Sequence, residues 1–241
     1  MKQSEYQVIL LDLDGTLYDF QRAEQKAIVD LVSEWGLPCS EEAVKAYHDF
    51  NDACWKALER GEITKSQLQS KRFEGFLSYL QFEYDPVLAG QEYAEKLSHN
   101  GFLLPGAKEL MQALAQRYTL YAVTNGIQKV QLGRMAASGI GKYFEKMFVS
   151  EEVGAAKPHT AYFEYVFAHI RKVRKEEILL IGDSISSDMQ GGMNAGIDTL
   201  WYNPLHEPLP SSIQVTYEMD SLQKIQKFLT QESILSAGLP L

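Results

Sequence analysis

The stretch Val8-Ile9-Leu10-Leu11-Asp12-Leu13-Asp14-Gly15-Thr16 constrains this chain more than any other. An unbroken apolar run reads as a strand buried on both faces, the kind found in parallel sheets covered by helices. This one delivers two aspartates, two residues apart, to its C-terminal end before Gly15 and Thr16 turn the chain away. An unpaired buried charge costs several kcal/mol even after relaxation, so a packed strand does not carry two carboxylates for structure alone. Open α/β sheets hold ligands outside the carboxyl ends of their strands. Two acids there point to a metal, to a nucleophile with its acid/base partner, or to both. Asp-Gly is also a turn-forming pair, so for Asp14 the reading of a plain turn opener stands beside the chemical one.

Four later segments repeat the pattern of a short apolar run ending in polar residues: Tyr118–Thr124, Lys146–Ser150, Ile178–Gly182 and Ile197–Trp201. Helical periodicity separates them over Gly106–Arg117, Ile127–Ser138, Thr160–Arg171 and Ser186–Ala195. Alternation at this spacing predicts βαβ units, hence an α/β fold with a doubly wound parallel sheet. Residues 20–101 break that rhythm with amphipathic runs near Arg22–Glu34, Glu41–Arg60, Thr64–Leu80 and Asp85–His99, separated at Gly36-Leu37-Pro38, Gly61 and Asp85-Pro86. The expected organisation is an α/β core over 1–19 and 102–241 with an inserted all-helical domain over 20–101. Placed directly after the first strand, the insert reads as a lid over that strand's end, or as packing helices with no gating role. The tail after Phe228 reads as a poorly ordered terminus.

At 241 residues the chain holds one large α/β domain, or a core with a smaller insert. A net charge of -9 argues against nucleic acid polymers and anionic membranes as partners, since both reward basic surface. An anionic substrate then needs a locally positive pocket. Cys39 and Cys54 are too few for a disulfide framework and read as thiols of a reducing cytoplasm. The apolar run near the N-terminus is short and broken by Asp12, so no signal peptide is expected, and no run reaches membrane-spanning length. The five histidines show no metal-ligand spacing. Oligomeric state is not legible.

Three further strand ends carry chemistry-bearing side chains. Thr124-Asn125-Gly126 precedes a helix, where hydroxyl, amide and free backbone N–H groups form either an anion cradle or a plain N-cap. Lys157 lies in Gly154-Ala155-Ala156-Lys157-Pro158, a tight loop that suits a positioned cation better than an exposed helix face does. Gly182-Asp183-Ser184 repeats the strand-then-acid arrangement, and Asp188 follows five residues after Asp183.

Asp12-Leu13-Asp14-Gly15-Thr16, Thr124-Asn125, Lys157-Pro158 and Gly182-Asp183 with Asp188 resemble, in order, the four motifs of the haloacid dehalogenase superfamily. The block over 20–101 resembles that superfamily's helical cap. Ser150-Glu151-Glu152-Val153-Gly154 and Gly191-Gly192-Met193-Asn194-Ala195-Gly196 look like its pyrimidine 5′-nucleotidase-like phosphatase branch. The resemblance implies a Mg²⁺-dependent phosphomonoester hydrolase acting through an aspartyl-phosphate on a small-molecule substrate, a nucleoside 5′-monophosphate. It implies Asp12 as nucleophile and Asp14 as acid and base. Thr124 and the backbone around Asn125 would hold phosphoryl oxygens, with Lys157 as the balancing cation. Metal ligands would be Asp12, the Asp14 carbonyl and Asp183, with Asp188 acting through a metal-bound water or by orienting Lys157. The superfamily's haloalkanoate dehalogenases lack an acid at the position of Asp14, because halide leaves without a proton. A sugar-phosphate or phosphoglycolate phosphatase is the nearest alternative; a dehalogenase or a non-catalytic phospho-receiver is more distant.

The insert would set specificity. Asn51, Trp55 and Glu59 share one predicted helix face, and Arg72-Phe73 lies farther along. Trp55 reads as a base-stacking residue or as core, and Arg72 as a phosphate or carbonyl ligand or a helix salt bridge. Tyr18 and Phe20, just past the first motif, are expected to line the entrance.

Overall fold

The computed structural model describes residues 6–230. Its elements run β1 (Val8–Leu11), α1 (Phe20–Glu34), α2 (Glu41–Glu59), α3 (Lys65–Leu80), α4 (Pro86–Ser98), α5 (Ala107–Leu114), β2 (Thr119–Thr124) and α6 (Gln128–Ser138). They continue through β3 (Lys146–Val149), α7 (Ser150–Val153), α8 (Thr160–His169), β4 (Ile178–Gly182), a π-type turn (Ile185–Met189), α9 (Gln190–Ala195), β5 (Asp198–Tyr202), β6 (Tyr217–Met219) and α10 (Leu222–Thr230). Contacts divide the chain into two compact units. One holds the residues up to Asp19, Leu103–Gln128 and those from Ser138 onward; the other holds Phe20–Phe102 with Lys129–Ala137.

The first unit is built on a six-stranded sheet of order β3-β2-β1-β4-β5-β6, parallel at every pairing. This is a doubly wound order, in which the winding reverses between β1 and β4, and such a reversal opens a crevice at the strands' carboxyl ends. The apolar runs are buried because both faces are covered. Val8, Leu10, Tyr121, Val123, Phe148, Ile178 and Leu180 pack with Tyr162, Phe163 and Val166 of α8. Their neighbours Ile9, Leu11, Leu120, Ala122, Leu179 and Ile181 are equally buried and, by strand alternation, face the other way.

The second unit is helical. Ser40, Thr64 and Asp85 cap α2, α3 and α4, with Pro86 opening the last and Gln67 completing a capping box with Thr64. Its core is aromatic: the Tyr47 ring lies 5.3 Å from Phe73, 5.3 Å from Phe76 and 5.0 Å from Tyr93. Residues 129–137, expected with the α/β core, group here. The Arg134 Nε donates to the Asn100 carbonyl at 3.2 Å, Lys129 pairs with Glu95, and a Cβ at Gly133 would sit 2.7 Å from the Ser98 Cβ.

Two elements depart from the periodicity. β6 has three residues with Glu218 exposed on the sheet's edge, so no apolar run announces it. The tail expected to be loose after Phe228 begins as helix: Leu229 is buried and its carbonyl accepts from the Tyr118 hydroxyl at 2.7 Å. Residues 231–241 of that tail lie outside the described residues. No helix among the described residues is long and apolar enough to cross a membrane.

Gly192 is where α9 meets β5: a Cβ there would lie 2.2 Å from the Thr199 Cγ2 and 3.4 Å from the Leu180 Cδ2. Thr199 is buried and β-branched, so it cannot swing aside. Gly192→Ala is expected to cost about 1–3 kcal/mol by overpacking, read as a lower urea midpoint at unchanged slope.

Candidate active site

The crevice between β1 and β4 receives one acid from each strand. The Asp12 amide donates to the Ile181 carbonyl at 2.9 Å, extending the β1–β4 ladder by one residue and fixing where its side chain emerges. Asp183 leaves β4 at the same level. Its carboxylate accepts from the Thr16 hydroxyl at 2.7 Å, and its carbonyl accepts from the Trp201 indole at 2.8 Å. Gly15 takes a φ of +85°, and a Cβ there would come within 2.4 Å of the Asp183 Oδ2. A Cβ on Gly182 would lie 2.4 Å from the Asp188 carboxylate. These glycines give the acids room to converge.

Lys157 supplies the buried cation. Its Nζ donates to the Asp12 Oδ1 at 2.5 Å, to the Asp188 Oδ1 at 2.7 Å and to the Val123 carbonyl at 2.9 Å. Three acceptors satisfy all three ammonium hydrogens. Asp188, fully buried in the π-type turn, takes the Ser184 amide on its other oxygen at 3.2 Å. Asp12, Asp183 and Asp188 each offer an oxygen within 4.8 Å of the others.

One ammonium does not balance three carboxylates. Burial pushes Asp12 well above the usual carboxylate range, against the pull of Lys157 and with the push of Asp188 and Asp183. Burial, then the charge of Asp188, raises Asp183 to about 7. Burial alone would lower the Lys157 ammonium, but Asp12 and Asp188 reverse this and raise it, so it stays charged. An all-oxygen, net-negative cluster with two strained carboxylates fits a hard divalent cation. Magnesium chemistry suits this donor set better than that of a soft metal.

Around this centre, the residues singled out from the sequence divide. Asp12, Lys157, Asp183 and Asp188 come together. Asp14 lies half-buried on the turn, bridged to Tyr18. Thr124 is buried, its Oγ1 accepting the Gly126 amide at 2.9 Å. The Asn125 side chain turns to the Lys157 backbone, accepting its N–H at 2.9 Å and donating to its carbonyl at 2.9 Å. Tyr18 is buried, with its hydroxyl 3.1 Å from the Ser138 Oγ.

In the helical unit, Arg72 and Asn51 are buried and joined, the Arg72 Nη1 donating to the Asn51 Oδ1 at 2.9 Å. Asn51 donates in turn to Glu24 at 2.7 Å, which His48 also contacts at 2.7 Å, and the Arg72 guanidinium lies 4.7 Å from the Tyr93 ring centre. Arg72 is buried, and its Nε and Nη2 have no hydrogen-bond partner among the described residues. Trp55 is half-buried and Glu59 exposed. Sequence reasoning missed Thr16, Ser184 and Trp201 as supports of the acids; a hydroxyl directly after Asp-Gly was the one visible signal.

The haloacid dehalogenase-like hydrolase family matches residues 6–196. The chain belongs to this family. Pyrimidine 5′-nucleotidase PynA of Streptococcus pneumoniae is 41% identical over 91% of this chain and 93% of its own length. Pyrimidine 5′-nucleotidase YjjG of Escherichia coli is 30% identical over 92% and 96%. The crystal structure of YfnB from Bacillus subtilis bound to magnesium superposes with a TM-score of 0.89 at 36% identity, covering 94% of this chain and all of that one. A 2-haloacid dehalogenase from Pseudomonas syringae shares the fold at 23% identity and a TM-score of 0.65, covering 93% and 98%. This member of the family is an enzyme, a hydrolase of its phosphatase type.

Lys157→Met would leave Asp12 and Asp188 buried without a counter-charge, at an expected cost of about 3–5 kcal/mol at pH 8. Asp12, already raised by burial, would lose the pull that opposes this, so the penalty is present above its folded-state value and shrinks as pH falls through it. Chemical denaturation at pH 8 and pH 5 checks both the loss and its sign. A divalent cation binding the acids must displace the proton of Asp183, so Mg²⁺ affinity is expected to fall at least about tenfold from pH 8 to pH 6. Calorimetric titration in buffers of different ionisation enthalpy reads both the affinity and the protons released.

Proposed function

We propose that the enzyme is a Mg²⁺-dependent phosphomonoesterase that hydrolyses nucleoside 5′-monophosphates, pyrimidine ones preferentially, with the helical unit as its cap. The observation that carries the reading is the buried Lys157 ammonium bridging Asp12 and Asp188 beside Asp183. It supports a site built for an anion attacked by a carboxylate. The two nucleotidase relatives, similar over nearly their whole length, support the choice of leaving group.

A carboxylate approaching a phosphate dianion at 4 Å meets about 8 kcal/mol of repulsion at an effective dielectric constant of 20. Lys157 offsets part of this while holding the Asp12 side chain in one orientation. Asp12, Asp183 and the Asp14 carbonyl would hold Mg²⁺, with Asp188 behind them; when bound, the ion withdraws charge from the phosphoryl oxygens. An Asp12 oxygen then bonds to phosphorus as the ester P–O bond breaks, giving an aspartyl-phosphate. Asp14 gives its proton to the departing alkoxide. It next takes a proton from the water that attacks the acyl-phosphate, releasing inorganic phosphate and restoring Asp12. Thr124 and the backbone N–H groups near Asn125 steady the phosphoryl oxygens. Of the residues expected to read the substrate, Trp55 is half-buried, whereas Asn51 is bonded to Glu24 and Arg72 to Asn51. The free thiols of Cys39 and Cys54 support a reducing, cytoplasmic setting.

Phosphate release across pyrimidine and purine nucleoside 5′-monophosphates and small sugar phosphates tests the reading. Pyrimidine nucleotides are expected to give the highest kcat/KM, with activity lost in EDTA and restored by Mg²⁺. Equal or faster turnover of sugar phosphates would overturn the nucleotide assignment. Asp12→Asn is expected to lower kcat by about 10⁴-fold or more while the protein stays folded; wild-type turnover would remove the nucleophile.

A further inference from the structure

Lysine has a flexible four-carbon stem, yet the Lys157 Nζ meets three acceptors at 2.5–2.9 Å. A side chain so constrained at its tip depends on an equally fixed base. Both backbone segments at that base are held by asparagine carboxamides. Asn125, at the end of β2, closes a two-bond ring with the Lys157 N–H and carbonyl, each at 2.9 Å. Its own carbonyl accepts from the Ser150 hydroxyl at 3.4 Å. From the other side, the Asn194 Nδ2 of α9 donates to the Pro158 carbonyl at 3.0 Å. Gln190, one turn earlier, donates to the Asn194 Oδ1 at 2.7 Å and so fixes which way that amide faces. Gly191 lets α9 approach: a Cβ there would lie 3.3 Å from the Pro158 Cα and 2.7 Å from the Phe163 ring.

We propose that Asn125 and Asn194 are positioning residues that mount Lys157 and influence the reaction only through its ammonium group. The proposal rests on the phosphatase reading for its kinetic consequence, and on backbone geometry for the rest. It gives a use to Gly191-Gly192-Met193-Asn194, a motif the reaction itself leaves idle, and it takes the Asn125 side chain out of the phosphate cradle.

Hydrogen exchange at the Lys157 amide and steady-state kinetics test it together. Asn125→Ala is expected to lower kcat about 30-fold and Asn194→Ala about 3- to 10-fold, with KM for cytidine monophosphate within about twofold in both. Both variants should exchange the Lys157 amide at least about tenfold faster. In a Lys157→Arg background, neither alanine substitution should lower kcat further. Asn194→Asp keeps the acceptor for Gln190 but loses the donor to Pro158, so it should match Asn194→Ala. That variant decides the matter if Lys157→Arg does not fold. A raised KM at unchanged kcat, a full multiplicative loss in the arginine background, or unaltered exchange at Lys157 would overturn the proposal. Should the wild-type enzyme release no phosphate from any ester, the functional reading fails, and amide exchange alone still decides the mount.

Discussion

The ammonium of Lys157 is the interaction on which the catalytic end of the sheet depends. The chain carries a net charge of -9 and concentrates three acids where β1 and β4 part. Packing carboxylates this closely favours their protonated forms, and Lys157 pulls Asp12 the other way. Lys157 reaches two of them directly, and its third hydrogen goes to the backbone of β2, so the charge is anchored to the sheet as well as to the acids. Asp183 has no direct bond to the ammonium; burial and the charge of Asp188 raise its value to about 7, against the pull of the Thr16 hydroxyl and the more distant Lys157. The cluster is therefore complete as a scaffold and incomplete as a charge distribution, the condition in which a site gains most from an external divalent ion.

The helical unit handles buried charge by another device. Arg72 reaches a carboxylate only through the Asn51 amide, with aromatic rings against the guanidinium face. This relay places an amide between the cation and the carboxylate. Direct contact in the α/β unit does the reverse, setting one carboxylate oxygen of Asp12 against the cation. The two arrangements differ in how cation meets carboxylate: through an amide in the helical unit, directly in the sheet crevice.

Much of this was legible in the sequence. Fully buried strands announce themselves as unbroken Val/Ile/Leu runs, so β1, β2 and β4 and the acids or hydroxyls at their ends were readable. Alternation with helices then implies a parallel, doubly wound sheet, while the strand order itself comes from the structure. What could not be read depends on contacts between distant segments. β6 is short, half-exposed and held only at the sheet's edge, so its residues carry no strand pattern. Residues 129–137 have the same helical period whichever unit they pack with; Ser98 and Asn100, some thirty residues away, decide it. Asn125 followed a strand and preceded a helix, which locally suggests a cap or a cradle. Only the fold reveals that Lys157, thirty-two residues later, presents a peptide group complementary to its amide.

Under the proposed function, the turn after β1 matters more for chemistry than the sheet does. A chain 23% identical keeps the fold at a TM-score of 0.65, so the architecture alone does not choose between halide and phosphate chemistry. The leaving groups differ in one respect that a side chain can register. Halide departs as a stable anion, whereas an alkoxide near neutral pH leaves only with a proton. Under the mechanism proposed above, Asp14, on a turn where Gly15 takes a φ of +85°, would be the acid that the second reaction needs and the first does not. The same turn places Thr16 against Asp183. One tight bend thus carries the proposed proton donor and places a hydroxyl on a carboxylate from the neighbouring strand.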